Sequence, residues 1–342
     1  MNRKIRYAVV GLGHISQVAV LPAFAHAQEN SELRALISSD PTKLTELSKS
    51  YHVPLTYSYE QYQACLHSGE VDAVYIALPN SMHCEYSVAA ARAGVHVLCE
   101  KPMAVTEQEC ERMILAAYQG QVRLMIANRL QFDSSHQEAV TIVASGQLGT
   151  PRLFSSVFTL LVKEGNVRLD KKLGGGPLYD IGIYCINAAR HLFGDEPIEV
   201  LALSASMDDP RFAEVAETTS AVLRFSHGRL ATFVCSFGAA REAVYEVVGT
   251  QGVLRSDPAY QRAGVATLSL TVDGKKQELA FTHQDQFAQE LADFSDCVLQ
   301  GRDPLASGAD GLADVRIIEA LLRSAETGQP VKLALPATAR SI

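Results

Sequence analysis

Ile5-Arg6-Tyr7-Ala8-Val9-Val10-Gly11-Leu12-Gly13-His14-Ile15-Ser16 is a short apolar run that breaks at glycine and passes into an apolar helical stretch. An apolar run of this length bounded by glycine reads as a buried strand. Gly11 permits a tight turn, and Gly13 lets the backbone approach a pyrophosphate. The amides at the head of the next helix, near His14 and Ile15, hold an anion without a positive side chain. Ser16 stands where the fingerprint's third glycine falls, which predicts a slightly wider gap between strand and helix. A bare glycine pattern is as often an ordinary strand-to-helix turn. The strand before it, the helix after it and its place at the start of the chain favour dinucleotide binding.

Working outward, apolar strands and amphipathic helices alternate through the first third. Strands are predicted over residues 5–10, 33–37, 73–78, 96–99 and 122–127, and helices near 15–27, 42–50, 59–67, 82–93 and 107–118. That alternation predicts an α/β Rossmann domain over residues 1–127, a parallel sheet with helices on both faces. After Asn128 the pattern turns β-rich, so residues 128–342 are read as a substrate-binding and oligomerisation α/β domain with a large open, mostly antiparallel sheet. Its helix is expected near 135–144, and its clearest hairpin pairs residues 220–225 with 230–237 around His227-Gly228. On the return strand Ala231, Phe233, Cys235 and Phe237 share an apolar face that belongs under helices. The opposite, mixed face is a candidate contact for a homodimer or homotetramer. Two amphipathic helices close the chain, one with Phe287, Leu291, Phe294 and Val298 in a stripe and one over 312–323.

Composition narrows the partners. The 342 residues suit two domains, and 47% hydrophobic content can fill two cores. Thirty Lys and Arg against 38 Asp and Glu give a net charge of −8, which argues against nucleic acid or an anionic membrane as a partner. A small neutral molecule suits this balance better. Seven widely spaced cysteines point to a reducing compartment, hence the cytoplasm. No ligand spacing for a metal is present, no apolar run is long enough to span a bilayer, and the first strand starts too early for a signal peptide.

The tip of the second predicted strand bears on the choice of nicotinamide cofactor. NAD-binding domains usually carry an acid there for the adenosine ribose, whereas this strand ends in Ser38-Ser39. Asp40 precedes Pro41 and reads as a helix cap. With Lys43 in the next turn, a ribose 2′-phosphate would meet donors and a cation, so NADP is favoured over NAD.

The reacting centre is sought at the carboxyl ends of the strands. Leu78-Pro79-Asn80 leaves the sheet there, and with His83 it borders the expected cofactor site. Asn80 is read first as a helix cap, and His83 first as a packed histidine. Glu100-Lys101-Pro102 follows buried Val97-Leu98-Cys99, and the proline disfavours helix at Lys101. The ammonium then projects from the sheet rim beside the cofactor. Most lysines are merely solvated, and the strand terminus singles this one out. Arg129, just past the last Rossmann strand, is a substrate-binding candidate whose commoner use is a structural ion pair. A second cluster, Gly174-Gly175-Gly176-Pro177, leads into a helix carrying Asp180, Tyr184, Asn187 and His191 on one stripe. Spacing alone allows either a solvent face or a site.

GLGHIS, LPNSMH, AGVHVLCEKPMAVT, GGGPLYDIGIYCIN and GLADVRIIEALLRSAETG, in this order across nearly the whole chain, resemble the Gfo/Idh/MocA oxidoreductases. The resemblance implies a Rossmann domain joined to an α/β domain whose open sheet mediates dimers or tetramers. It implies that Lys101 is catalytic, often with a cis bond to the following proline, and that Asp180 and Tyr184 belong to the active site. Tyrosine at 184 is similar to the glucose–fructose oxidoreductase and sugar dehydrogenase branch, as is the Ser38-to-Lys43 spacing. Without an extension before the first strand, exchangeable NADP is expected.

The expected activity is hydride transfer between NADP and a hydroxyl or carbonyl carbon of a sugar or cyclic polyol. Lys101 would bond the reacting oxygen, Tyr184 exchange the proton and Asp180 orient substrate. Lys101, Arg129, Asp180 and Tyr184 are the substrate-binding set. A dihydrodiol dehydrogenase, a ketosugar reductase and a non-catalytic dinucleotide-sensing regulator remain alternatives, since fold and motifs do not name a substrate.

Overall fold

The computed structural model describes residues 3–282 and 284–334. The chain forms two compact units. The first comprises the chain up to Phe132 together with Asp285–Val315, and the second comprises Asp133–Gln284 and the chain from Arg316. The sequence reading placed one cut after residue 127; the chain instead leaves the first unit and later returns to it.

The first unit holds six parallel strands, β1 (Ile5–Val10), β2 (Ser31–Ile37), β3 (Leu55–Tyr57), β4 (Ala73–Ile76), β5 (His96–Glu100) and β6 (Leu124–Ala127), in the spatial order β3-β2-β1-β4-β5-β6. Alternate residues of each strand feed opposite layers. Ala8, Val10, Val74, Ile76, Val97 and Cys99 pack with Val88, Ala91, Met113 and Ala117 of helices His83–Arg92 and Glu107–Gly120. Tyr7, Val9, Leu36, Tyr75, Leu98 and Met125 pack with Leu21, Phe24, Phe287, Leu291 and Phe294.

The last three residues belong to helix Gln286–Gln300, so the predicted stripe is real, but it covers the Rossmann sheet. Tyr7 Oη lies 2.7 Å from Ser295 Oγ on that helix. Each buried Phe or Leu contributes about 1.5–3 kcal/mol, while doubling an intervening loop costs only about 0.6 kcal/mol. Three such side chains therefore hold the returning helix to the first unit.

Two local departures have simple causes. β3 was not expected, because three half-exposed residues carry no periodic signal. The helix expected over 15–27 is a π-helical turn, Ser16–Val20, followed by a short α-helical turn, Leu21–Ala23, with Pro22 inside it.

The second unit is built on nine strands: β7 (Pro151–Leu161), β8 (Pro197–Ala205), β9 (Thr218–Phe225), β10 (Leu230–Ser236), β11 (Gly238–Gly249), β12 (Gly252–Ser256), β13 (Val265–Val272), β14 (Lys275–Thr282) and β15 (Val331–Lys332). Their order is β14-β13-β12-β11-β7-β10-β9-β8-β15, and only β7 and β10 run parallel. The expected hairpin is β9–β10, in register from Leu230↔Arg224 to Ser236↔Thr218. Ala231, Phe233, Cys235 and Phe237 are fully buried, on the side that packs on helices. Helices Ser134–Ala144 and Leu178–Phe193 supply that cover. The other face is mixed, with Val157↔Val234 and Leu153↔Leu230 paired across it and Leu201 and Leu203 exposed on β8.

Candidate active site

Strand order reverses at β1, flanked by β2 and β4, and open α/β sheets take ligands at such a point. Gly11 has φ +94°, and a Cβ there would lie 2.5 Å from the Ala77 carbonyl oxygen. Only glycine fits between the β1 turn and the β4 exit. Ser16, where the fingerprint's third glycine falls, is fully buried, and its hydroxyl donates to the Gly11 carbonyl at 2.6 Å. At Gly13 a Cβ would meet nothing within 4 Å. His14 and Ile15 open the helix beside that open space. A bare backbone facing free space at a helix head is a cradle suited to a pyrophosphate.

At the tip of β2 the Asp40 carboxylate accepts the Thr42 and Lys43 amides at 3.0 and 3.1 Å and so caps helix Pro41–Tyr51. Those amide bonds, first that of Lys43, hold its carboxyl below the ordinary range. Ser38 is buried and accepts the Asp40 amide at 3.1 Å, Ser39 is exposed, and Lys43 Nζ stands 3.6 Å from Asp40 Oδ2. A 2′-phosphate at this tip would meet hydroxyls and an ammonium, with one oxygen of the acid engaged by the helix amides and the other facing Lys43.

Leu78, Pro79 and Asn80 follow β4. Met82 is the N-cap of helix His83–Arg92, with no side-chain cap; Asn80 lies one short turn earlier, so it is not the cap expected of it. His83 is fully buried, its ring nitrogens 2.8 Å from the Pro102 carbonyl and 2.9 Å from the Leu78 carbonyl. It ties together the loops after β4 and β5. Burial holds it below its ordinary value, so the neutral ring donates to one carbonyl at a time.

β5 delivers Glu100 and Lys101 to the same end of the sheet, and the Lys101–Pro102 peptide is cis. Tyr75 Oη donates to Glu100 Oε1 at 2.9 Å. Desolvation lifts the Glu100 carboxyl, against the pull of Lys101, Tyr75 and Arg129. Arg129 is buried and donates to Gln286 Oε1 at 2.9 Å. Behind them is a residue that sequence reading missed: Glu290, fully buried on the returning helix, with neither carboxyl oxygen hydrogen-bonded to protein. Desolvation and then Glu100 push it well above the carboxylate range, against Arg129.

A carboxyl raised in this way stabilises the fold below its unfolded value near 4.5 and loses that contribution as pH climbs through the folded value. Glu290→Gln is therefore expected to match wild type near pH 4 and to exceed it in melting temperature at pH 8. Within the window the gap grows by up to about 1.4 kcal/mol per pH unit. Melts across pH test this, and a pH-independent difference rejects it.

In the second unit the polar stripe does not face solvent. Tyr184 and Asn187 are buried along with Ile181, Ile183 and Ile186. The Tyr184 ring lies 5.7 Å from Phe158 and 5.9 Å from Tyr260. His191 stacks obliquely near His136, centroids 6.4 Å apart, and burial pushes His136 down to about 3. Asp180 keeps partial exposure in the first turn, and Arg168 Nε donates to its Oδ2 at 2.6 Å. Arg168 was also missed, because it sits in a single 3-10 turn, Val167–Leu169, too short to carry a periodic signal.

Among the described residues no cluster of three or more His, Cys, Asp or Glu could hold a metal ion, and no helix is long and apolar enough to cross a membrane. A glycine turn at the strand-order reversal, an open cradle beside it and a lysine at the carboxyl end of β5 define a Rossmann dinucleotide-binding protein. A family model described as an oxidoreductase family with an NAD-binding Rossmann fold matches residues 5–128. The GFO/IDH/MocA C-terminal domain matches residues 136–255. The chain belongs to the Gfo/Idh/MocA oxidoreductase family.

It is 31% identical over 340 residues to D-xylose 1-dehydrogenase [NADP(+)] of Haloarcula marismortui, covering 97% of this chain and 94% of that protein. The crystal structure of an aldose–aldose oxidoreductase from Caulobacter crescentus, complexed with glycerol, superposes with a TM-score of 0.92 at 39% identity. That match covers 97% of this chain and 100% of the other. A 3-ketoreductase from Actinomadura kijaniata, in complex with NADP and TDP-benzene, gives 0.85 at 27% identity, covering 94% and 98%.

Proposed function

We propose that this chain is an NADP-dependent oxidoreductase acting on a hydroxyl- or carbonyl-bearing carbon of a sugar or cyclic polyol. The observation that carries this reading is Lys101 at the carboxyl end of β5, in a Rossmann sheet whose relatives are NADP-linked sugar dehydrogenases and reductases. NADP, when bound, supplies or accepts the hydride. The Gly11–Ile15 turn would hold its pyrophosphate, Ser38, Ser39 and Lys43 its 2′-phosphate, and Leu78, Pro79, Asn80 and Glu100 would border its nicotinamide. The Lys101 ammonium donates a hydrogen bond to the reacting oxygen and stabilises negative charge there. Tyr184 gives or takes the proton at that oxygen, and Asp180 orients the substrate hydroxyls.

A screen of aldoses, ketosugars and inositols, read by NADPH absorbance, tests this. Turnover of at least one sugar is expected, with a Michaelis constant for NADP well below that for NAD. Silence across the panel overturns the reading and leaves a dinucleotide-sensing regulator. Preference for NAD overturns the assignment of Ser38, Ser39 and Lys43.

The open face of the nine-stranded sheet is assigned to self-association as a dimer or tetramer. Leu203 is 69% exposed there and Leu230 38%, and apolar side chains exposed on one open face favour burial against a second copy. The double variant Leu203→Lys, Leu230→Lys is expected to sediment as a monomer with an unchanged circular dichroism spectrum; a monomeric wild type rejects the assignment. All seven cysteines are buried thiols outside any disulfide, which supports a reducing, cytoplasmic setting.

A further inference from the structure

Between β7 and the Tyr184 helix, residues 162–176 contain only two short 3-10 turns, Val167–Leu169 and Lys171–Leu173, yet they are firmly held. Asn166 accepts the Arg168 amide at 3.1 Å. Asp170 accepts the Lys172 and Leu173 amides at 2.8 and 3.2 Å. The Gly175 amide then donates to the Asp170 carbonyl, and the Gly176 amide to the Arg168 carbonyl, each at 2.9 Å. A Cβ on Gly175 would stand 2.4 Å from the Arg168 carbonyl oxygen and 2.7 Å from that of Asp170. The glycine triplet is therefore a strap drawn across the backbone of Arg168, and a side chain at its middle position would push the strap away. What the strap holds in place is a guanidinium whose Nε donates to Asp180 Oδ2 at 2.6 Å.

We propose that Arg168, strapped by Gly175 and Gly176, is a positioning residue that fixes the Asp180 carboxylate for substrate while leaving cofactor binding untouched. This rests on the proposed sugar oxidoreductase reading and deepens it. The Arg168 side chain is 42% exposed, and an ion pair that open adds little to stability. A short charge-assisted bond from a fixed donor does set which oxygen is engaged and in which direction the other points. Electrostatics agree: the Asp180 charge, then its hydrogen bond, raise the guanidinium, with Tyr184 contributing and burial opposing. Arginine suits the task because its planar donors are pre-organised, whereas lysine offers a mobile point charge. A carboxylate released by about one ångström from its working position costs on the order of 10²-fold in rate.

The test uses the full chain and the sugar that wild type turns over. Arg168→Gln is expected to lose about 10²-fold in kcat/KM for sugar, with the Michaelis constant for NADPH unchanged and a melting temperature near that of wild type. Arg168→Ala is expected to recover part of its loss in millimolar guanidinium chloride and none in equal sodium chloride. Sugar kcat/KM within about threefold of wild type, or a loss shared equally by NADPH binding, overturns the proposal. If Arg168→Gln fails to fold, Arg168→Lys is read in the same assays, with the same loss-specific pattern expected. If wild type turns over no sugar, the functional reading fails separately, and a crystal structure of Arg168→Gln decides the positioning role. Asp180 rotated away from its wild-type place supports it, and Asp180 unmoved overturns it.

Discussion

Lys101→Ala is expected to lower the rate of hydride transfer by ~10²–10⁴, about 3–5 kcal/mol of transition-state stabilisation, while NADPH still binds. The dissociation of effects follows from position. Cofactor phosphates are assigned to the Gly13 cradle and the Ser38–Lys43 tip, on β1 and β2, whereas Lys101 ends β5, two strands from β1. Removing its ammonium takes away the proposed donor to the reacting oxygen and one of the charges that keep Glu100 from rising further. Stopped-flow single turnover measures the first effect, and NADPH fluorescence titration measures the retained binding. Turnover near wild type in the alanine variant removes Lys101 from the chemistry.

Gly11→Ala is expected to abolish NADPH binding and to lower the melting temperature, whereas Gly13→Ala lowers affinity alone. At Gly11 the methyl group would sit 2.5 Å from the Ala77 carbonyl oxygen and 3.0 Å from Leu78 Cδ2, in a residue at φ +94°. Backbone strain of this kind costs about 1–3 kcal/mol before any clash is counted. Ala77 cannot easily yield, because its amide donates to the Val10 carbonyl at 2.8 Å across the β1–β4 pair. At Gly13 nothing lies within 4 Å, so the free protein tolerates the methyl group and only a pyrophosphate in the proposed cradle would meet it. Thermal melts and NADPH titration of both variants check the contrast; equal melting temperatures for the two remove the steric argument at Gly11.

The Rossmann sheet was legible because each of its longer strands is an apolar run bounded by glycine, proline or polar residues, and Asp40 announced its cap by preceding Pro41. What was not legible depends on which surface a side chain meets. Phe287, Leu291 and Phe294 declare a buried stripe, but a stripe does not say which sheet it covers. Glu290, one residue before Leu291, reads as the wet side of that helix and is buried beside Glu100 and Arg129. The Asp180–Tyr184 spacing marked a helix face whose Tyr184 and Asn187 are buried, yet a polar stripe with isoleucines between looked equally like solvent cladding. Arg168 reaches Asp180 from a three-residue 3-10 turn, too short for a period of two or of 3.6 to show.

The return of Gln286–Gln300 to the first sheet also bears on how the protein is made. When the ribosome has released only the first 132 residues, the layer containing Tyr7, Val9, Leu98 and Met125 still lacks the helix that shelters it. Domains generally consolidate in the order of synthesis, but here the earliest part must wait for one of the latest. Until then a greasy flank stays open to chaperones, and a truncated amino-terminal fragment is a half-clad sheet prone to clump.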